Sequence, residues 1–284
     1  MKRFIIWILA IIGFVFFAFE AYNSRSEITS GLSMIVANKS LLLSEFTLMI
    51  INICLEAYRW QIIDRQRNSS SFFQSFTTIL ESISLSLITP GGVGEHIGKI
   101  HHSPKKKESL VASLIGSIIQ TLVISFFGII ALLISTQYID LKEHTFFYLL
   151  ITSIIVVLSI LFGKKISSTI KSVITSFSFI QLSHIFFINI IRYFVFAIQL
   201  YLILCNNFIL RYDVAIEIAI YYLIITIVPS WGLADIGIRG SVAIFIFKSP
   251  DIFWPGTAVV LVWFINRVIP SLFYILLFRY KSIK

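Results

Sequence analysis

Charged residues are scarce in this chain of 284 residues, at 13%, where a soluble domain carries about a quarter. That shortage excludes a disordered chain and a soluble cytosolic enzyme. Cysteine is scarcer still. Cys54 and Cys205 both sit inside apolar runs, which excludes a disulfide-stapled secreted module and reads them as small buried hydrophobes. No Gly-x-Ser-x-Gly nucleophile, phosphate-binding Walker loop, dinucleotide fingerprint or His-Glu-x-x-His is found, so a pump driven by its own ATPase is excluded. What is abundant is apolar surface: 57% hydrophobic residues, with a mean hydropathy of +0.92. The composition is that of a polytopic membrane protein. Its 23 basic and 14 acidic residues leave a net charge of +9. In a membrane protein that excess reflects the positive-inside bias and anionic headgroups, and no nucleic-acid partner is expected.

A helix needs roughly 20 mostly apolar residues to cross the hydrocarbon core. Six stretches qualify: Phe4–Phe19, Leu41–Ile63, Ser109–Tyr138, Phe146–Phe162, Phe179–Leu204 and Phe253–Phe278. The first follows Lys2 and Arg3 like a signal peptide, but Ala18-Phe19-Glu20-Ala21 holds no small-x-small cleavage site, so it reads as a retained helix. The segment Lys164–Thr175 is polar enough to lie on the membrane surface as a linker.

Two further apolar stretches are broken. The 37 residues between Arg67 and Lys105 are interrupted by Thr89-Pro90-Gly91-Gly92, and the 34 between Asp213 and Lys248 by Pro229-Ser230-Trp231-Gly232. Proline removes a donor and glycine is a poor helix former, so each break ends one helix and starts another. Gly94 and Gly237 extend the list of expected break residues. Each stretch is too short for two crossings and a turn, leaving a broken crossing or a re-entrant hairpin. If both are hairpins, thirteen basic residues face the cytoplasm and five face outward. If the first one crosses, Lys105-Lys106-Lys107 lies opposite Arg65 and Arg67, against the positive-inside rule. The hairpin reading wins, with both termini cytoplasmic.

The remaining charges repeat in order. Arg59, Glu81, Pro90, Glu95 and Lys99 are followed later by Arg192, Glu217, Pro229, Asp235 and Arg239. The Arg-to-acid intervals are 22 and 25, the acid-to-Pro intervals 9 and 12, and each break precedes an acid with a base four residues on. Under this topology the halves are inverted, an arrangement typical of alternating-access transporters. The expected architecture is one all-α membrane domain over 1–284. It comprises a first helix and outer loop (1–40), repeat one (41–138), a connecting span and linker (139–178) and repeat two (179–284).

Glu56-Ala57-Tyr58-Arg59-Trp60, Thr89-Pro90-Gly91-Gly92-Val93-Gly94-Glu95, and Pro229 with Gly237-Ile238-Arg239 resemble the lysylphosphatidylglycerol synthase transmembrane, or flippase-like, domain family. The resemblance implies a bacterial or archaeal inner-membrane protein that moves a lipid between leaflets. No aminoacyltransferase domain follows Lys284, so a stand-alone membrane domain is expected, not a synthase.

The expected headgroup-binding residues are Arg59, Glu81, Glu95, Lys99, Arg192, Glu217, Asp235 and Arg239, brought into one cavity by hairpin tips that approach each other. Bases would hold an anionic headgroup, and acids at i, i+4 would re-pair them when it leaves. Against this stands a local cap: Glu95 complements the helix dipole and pairs with Lys99 unaided. Glu56 reads as a packed partner of Arg59. Glu95, His96, His101 and His102 lack zinc-protease spacing, so no metal site is expected, and no cofactor. The expected function is translocation of a membrane phospholipid or polyprenyl-linked lipid, without enzyme activity. The alternatives are an intramembrane enzyme using Glu95 and the histidines, or a non-catalytic partner of a separate synthase or glycosyltransferase; a homo-oligomer is open.

Overall fold

A computed structural model describes Thr29, Ser33 and residues 36–64, 70–89, 92–135, 175–205, 211–228, 235–247 and 254–276. Every regular element among the described residues is helical. They are α1 (Lys39–Asp64), α2 (Phe72–Ile88), α3 (Val93–His101), α4 (Lys106–Ser135), α5 (Phe179–Cys205), α6 (Tyr212–Ile227), α7 (Asp235–Ile246) and α8 (Trp254–Trp263). A π-helical turn (Phe264–Val268) then leads into α9 (Ile269–Tyr274). Among the described residues, four runs are long and apolar enough to cross a membrane: α1, α4, α5 and the continuous Trp254–Tyr274. They match four of the six expected spans. Phe4–Phe19, Phe146–Phe162 and the linker segment 164–174 lie outside the described residues.

Local chemistry sets the helix starts. Asn38 Oδ1 accepts from the Leu41 N–H at 3.1 Å at the head of α1. α2 and α5 open on the same reciprocal box. Ser71 Oγ accepts from Gln74 N while Gln74 Oε1 accepts from Ser71 N, and Ser178 and Gln181 repeat the exchange. Each box satisfies two backbone donors that the first helical turn leaves without partners.

α2 and α3 form a helical hairpin. Gly92 takes the turn in the left-handed region at φ 70°, which only glycine adopts freely. The Thr89 hydroxyl closes the tip, donating to the Leu85 carbonyl at 2.9 Å and accepting from Gly94 N at 2.7 Å. Further along, a Cβ on Gly98 would come within 2.5 Å of the Ser82 Cα. Gly94 backs onto residues 85 and 89, and Gly98 onto 82, so the arms run antiparallel in close contact. Gly94 and Gly237, expected as breaks, are instead buried inside α3 and α7. Both follow a helix start by one or two residues, where glycine costs at most about 1 kcal/mol against alanine. Pro90, Gly91, Pro229 and Gly232 lie outside the described residues.

The hairpin leaves from and returns to the same end of α1. Gln61 Nε2 donates to the Ser70 carbonyl at 3.3 Å. Ser109 Oγ donates to Asp64 Oδ1 at 3.0 Å, and Ser103 Oγ lies 2.7 Å from Ser109 Oγ. Residues 64, 70 and 103–109 therefore share one end of the bundle.

The order long, short, short, long in α1–α4 returns in α5–α9. α2 packs on α9 of the second half while α6 packs on α4 of the first; α3 lies on α4 as α7 lies on α8. α1 and α5 form the central seam. Along it the Glu45 carbonyl meets Gln199, Asn52 meets Arg192 and Arg59 meets Asn189. As one number rises the other falls, so the two helices are antiparallel. The shared hairpin end makes a direct expectation. With Cys54 and Cys205 replaced, single cysteines at Ser71 and Lys106 should react with an impermeant maleimide from the same side of sealed vesicles. Labelling from opposite sides contradicts the hairpin.

Candidate functional site

Polar residues at Asn52, Glu56 and Arg59 recur every three to four positions on α1 and so share one face. That face meets Asn189, Arg192 and Gln199 of α5. At its centre is Glu56, a carboxylate with 7% of its side chain exposed. Oε1 accepts from Arg59 Nη2 at 2.7 Å and from Lys99 Nζ at 2.8 Å. Oε2 lies 2.5 Å from Arg192 Nη1, an ion-pair contact without hydrogen-bond alignment. Glu56 thus ties its own helix to α3 and α5.

Each cation has further partners. Arg59 is fully buried, and its Nη1 reaches the Gly116 carbonyl, Gln120 Oε1 and Asn189 Oδ1. Arg192 donates to Asn52 Oδ1 and to the same Gln120 oxygen, each at about 3.1–3.2 Å. Lys99 also pairs with Glu95 Oε1 at 2.7 Å and lies 5.9 Å from the Trp60 ring centre. Arg267 completes the group. Its Nη1 donates to Ser86 Oγ at 3.0 Å and lies 3.6 Å from Glu95 Oε2.

Arg267 and Asn266 belong to the π turn. Pro270 has no N–H to give the Asn266 carbonyl, and its ring crowds that carbonyl. The chain widens there, and Ile269 N–H reaches the Phe264 carbonyl five residues back. A π turn inside an α-helix often marks a functional position.

Two adjoining cavities open from this centre. The first, about 50 Å³, is lined by Glu56, Glu95, Lys99, Arg192 and Arg267. At roughly 10–15 Å³ for each water it holds a few water molecules. The second, about 200 Å³, is lined by Gln120, Tyr222, Trp263, Arg267 and Arg239 among mostly apolar neighbours. Phe196, Asn266 and Arg267 stand on the walls of both.

Of the eight expected site residues, Arg59, Glu95, Lys99 and Arg192 come together in one cluster, and Arg239 lines the adjoining cavity. Arg59 itself lines neither cavity; its Nη1 bonds to Gly116, Gln120 and Asn189 join α1 to α4 and α5. Glu81 is placed elsewhere, against His101 and His102 at 2.7 and 2.9 Å. Glu217, half-buried on α6, lines neither cavity. Asp235 begins α7, and its side chain lies outside the described residues, as do Pro90, Gly91 and the whole second break. The Glu56–Arg59 pair is present as expected, but with two more cations on the same carboxylate.

Sequence reading passed over Arg267, Asn52, Gln120, Asn189 and Asn266. Their signal was present, since each is a polar side chain in an otherwise apolar span, and such residues usually face the bundle interior. Glu45 is another: it is fully buried on α1, and among the described residues neither carboxylate oxygen has a hydrogen-bond partner. No protein-family model, curated protein or solved structure matches this chain.

Removing the central carboxylate leaves Arg59, Lys99 and Arg192 buried with one acid between them. Breaking a buried pair in this way costs about 3–5 kcal/mol. Glu56→Ala should therefore lose most of its folded fraction in a thermal or SDS titration of the detergent-solubilised protein. Glu56→Gln, which keeps the acceptor but not the charge, should fall between it and the parent. Equal stability of all three contradicts the central role of Glu56.

Proposed function

We propose that this chain is an integral membrane lipid translocase of the flippase-like kind. It moves a lipid with an anionic or phosphate-linked headgroup between leaflets, without hydrolysing ATP. The observation that carries this reading is the charge balance of the polar centre. Among the described residues, Arg59, Lys99, Arg192 and Arg267 converge on two carboxylates, Glu56 and Glu95, and Arg239 lines the next cavity. Excess positive charge inside a membrane bundle is costly unless an anion completes it. A headgroup phosphate is such an anion, and guanidinium groups match it in a two-pronged fashion. The second cavity has the volume for a headgroup; the first does not. Arg267, on both walls, is the side chain that joins a phosphate held in the second cavity to the charges of the polar centre.

The membrane arrangement in this proposal has six spans and two re-entrant hairpins in inverted halves. It rests on the antiparallel α1–α5 seam, the repeated helix order, the reciprocal packing of α2 on α9 and α6 on α4, and the shared end of residues 64 and 103–109. The positive-inside count favours cytoplasmic termini in a bacterial inner membrane. The flippase-like resemblance carried by residues 56–60 and 89–95 agrees with the same reading. The substrate class is a membrane phospholipid or a polyprenyl-linked lipid.

Purified protein in liposomes should move a fluorescent anionic phospholipid between leaflets without ATP, leaving the lipid's mass unchanged. Arg267→Gln and Lys99→Gln should elute as folded protein and slow transport at least about tenfold, the 1.4 kcal/mol equivalent of one charge-assisted contact. Parental rates in both variants exclude this site. A changed lipid mass means an enzyme, and neither transport nor chemistry means a partner protein.

A further inference from the structure

The histidines at the end of α3 face a carboxylate that their sequence neighbourhood does not contain. Glu81, on α2, presents Oε1 to His101 Nδ1 at 2.7 Å and Oε2 to His102 Nε2 at 2.9 Å. One donor atom from each of the three residues lies within 4.8 Å of the others. The two imidazole rings stand 4.5 Å apart, centre to centre. The glutamate is nearly buried, at 11% side-chain exposure, while the histidines are open to water at 59% and 64%. A dissolved ion therefore reaches the cluster without crossing the bundle.

We propose that Glu81, His101 and His102 form a site for a divalent transition-metal cation of the zinc class. Two imidazoles and one carboxylate are the donor set of three-ligand zinc sites, with water in the fourth position. Imidazole donors select zinc, copper, nickel or iron over magnesium and calcium. Donors at about 2.0–2.2 Å from a tetrahedral ion stand roughly 3.3 Å from one another. The two Glu–His contacts are hydrogen-bond distances, so a cation lengthens them by about half an ångström and draws the imidazole nitrogens, now within 4.8 Å, to a similar spacing, a move within reach of two exposed histidine side chains. The location also favours a cation: His101 is the last residue of α3 and His102 its cap, at the carbonyl end of the helix dipole. Lys105, Lys106 and Lys107 close by are exposed, so selection comes from coordination and not from a negative field.

The consequence is mechanical. At one end α3 is already fastened to α2 by the Thr89–Gly94 bond. A cation on Glu81, His101 and His102 fastens the other end. Helix α3 carries Glu95 and Lys99, so a loaded site holds the polar centre's movable arm against α2. This inference does not rest on lipid transport, and its failure leaves the proposed function untouched.

The test uses the full chain, purified in detergent, stripped with a chelator and titrated with Co²⁺ as a spectroscopic substitute for Zn²⁺. The expected result is one Co²⁺ per chain with intense tetrahedral visible absorption, displaced by Zn²⁺. His101→Ala, His102→Ala and Glu81→Gln should each lose saturable binding in the micromolar range. His96→Ala should bind as the parent does, because His96 is turned toward Ser113 at 2.8 Å on the other side of α3. Zn²⁺ should also slow hydrogen exchange across 93–101 in the parent but not in His102→Ala. The exposed histidine variants decide the matter even if Glu81→Gln fails to fold. Absence of saturable binding by the parent, parental binding in His101→Ala and His102→Ala, or equal loss in His96→Ala overturns the site.

Discussion

The carboxylate of Glu56 meets cations from α1, α3 and α5, and the packing of those helices depends on that convergence. Removing a carboxylate and three cations from water is expensive, and Coulomb attraction offsets the expense only where geometry is good and remaining donors are satisfied. Here amide side chains accept from several of the remaining donors. Gln120 offers one oxygen to both Arg59 and Arg192, while Asn189 and Asn52 take a further donor from each. The antiparallel seam of α1 and α5 is thus a polar contact inside an apolar bundle. Its cross-contacts run both ways: Arg59 of α1 reaches Asn189 of α5, and Arg192 of α5 reaches Glu56 of α1.

The hairpin and the last long helix turn this scaffold into a lined space. Close glycine packing brings α3 against α2, which delivers Lys99 to Glu56 and leaves Glu95 facing Arg267. Pro270 opens the helix at the π turn, so Asn266 and Arg267 reach between two cavities that a regular helix would line differently. Arg59 is fully buried, with both terminal nitrogens bonded to protein, and serves as structure. Arg267, partly exposed and bonded to a serine and a distant carboxylate oxygen, is the cation with most freedom to change partners. In the proposed translocase, scaffold and site are therefore adjacent members of one charge network.

Much of this was legible in the residues. Apolar run length identified four of the helices that cross the described bundle, and Gly92 announced the turn before α3 with its restart at Val93. Arg59 and Arg192, spaced alike within their halves, do meet the same Gln120 and Glu56. What sequence could not supply was partner choice across the fold. Glu81 carries the same repeat spacing as its counterpart Glu217, yet it turns toward His101 and His102 because antiparallel arms set residue 81 beside 101. Arg267 falls outside the repeated charge order, so a pattern-based reading overlooked it, although one arginine in an apolar run is itself a signal. Gly94 and Gly237 read as breaks because glycine is ambiguous between ending a helix and permitting a close helix approach. At Gly94 the approach decided.

The central claim is that the buried positive excess is completed by the anionic headgroup of a lipid. Native mass spectrometry of the protein released gently from detergent tests it without assuming a mechanism. The account expects an anionic or phosphate-linked lipid bound one per chain, retained by the parent and lost when Lys99 and Arg267 are both replaced by glutamine. A parent that carries only neutral or zwitterionic lipid, or a double variant that retains the same anionic lipid in the same proportion, contradicts it.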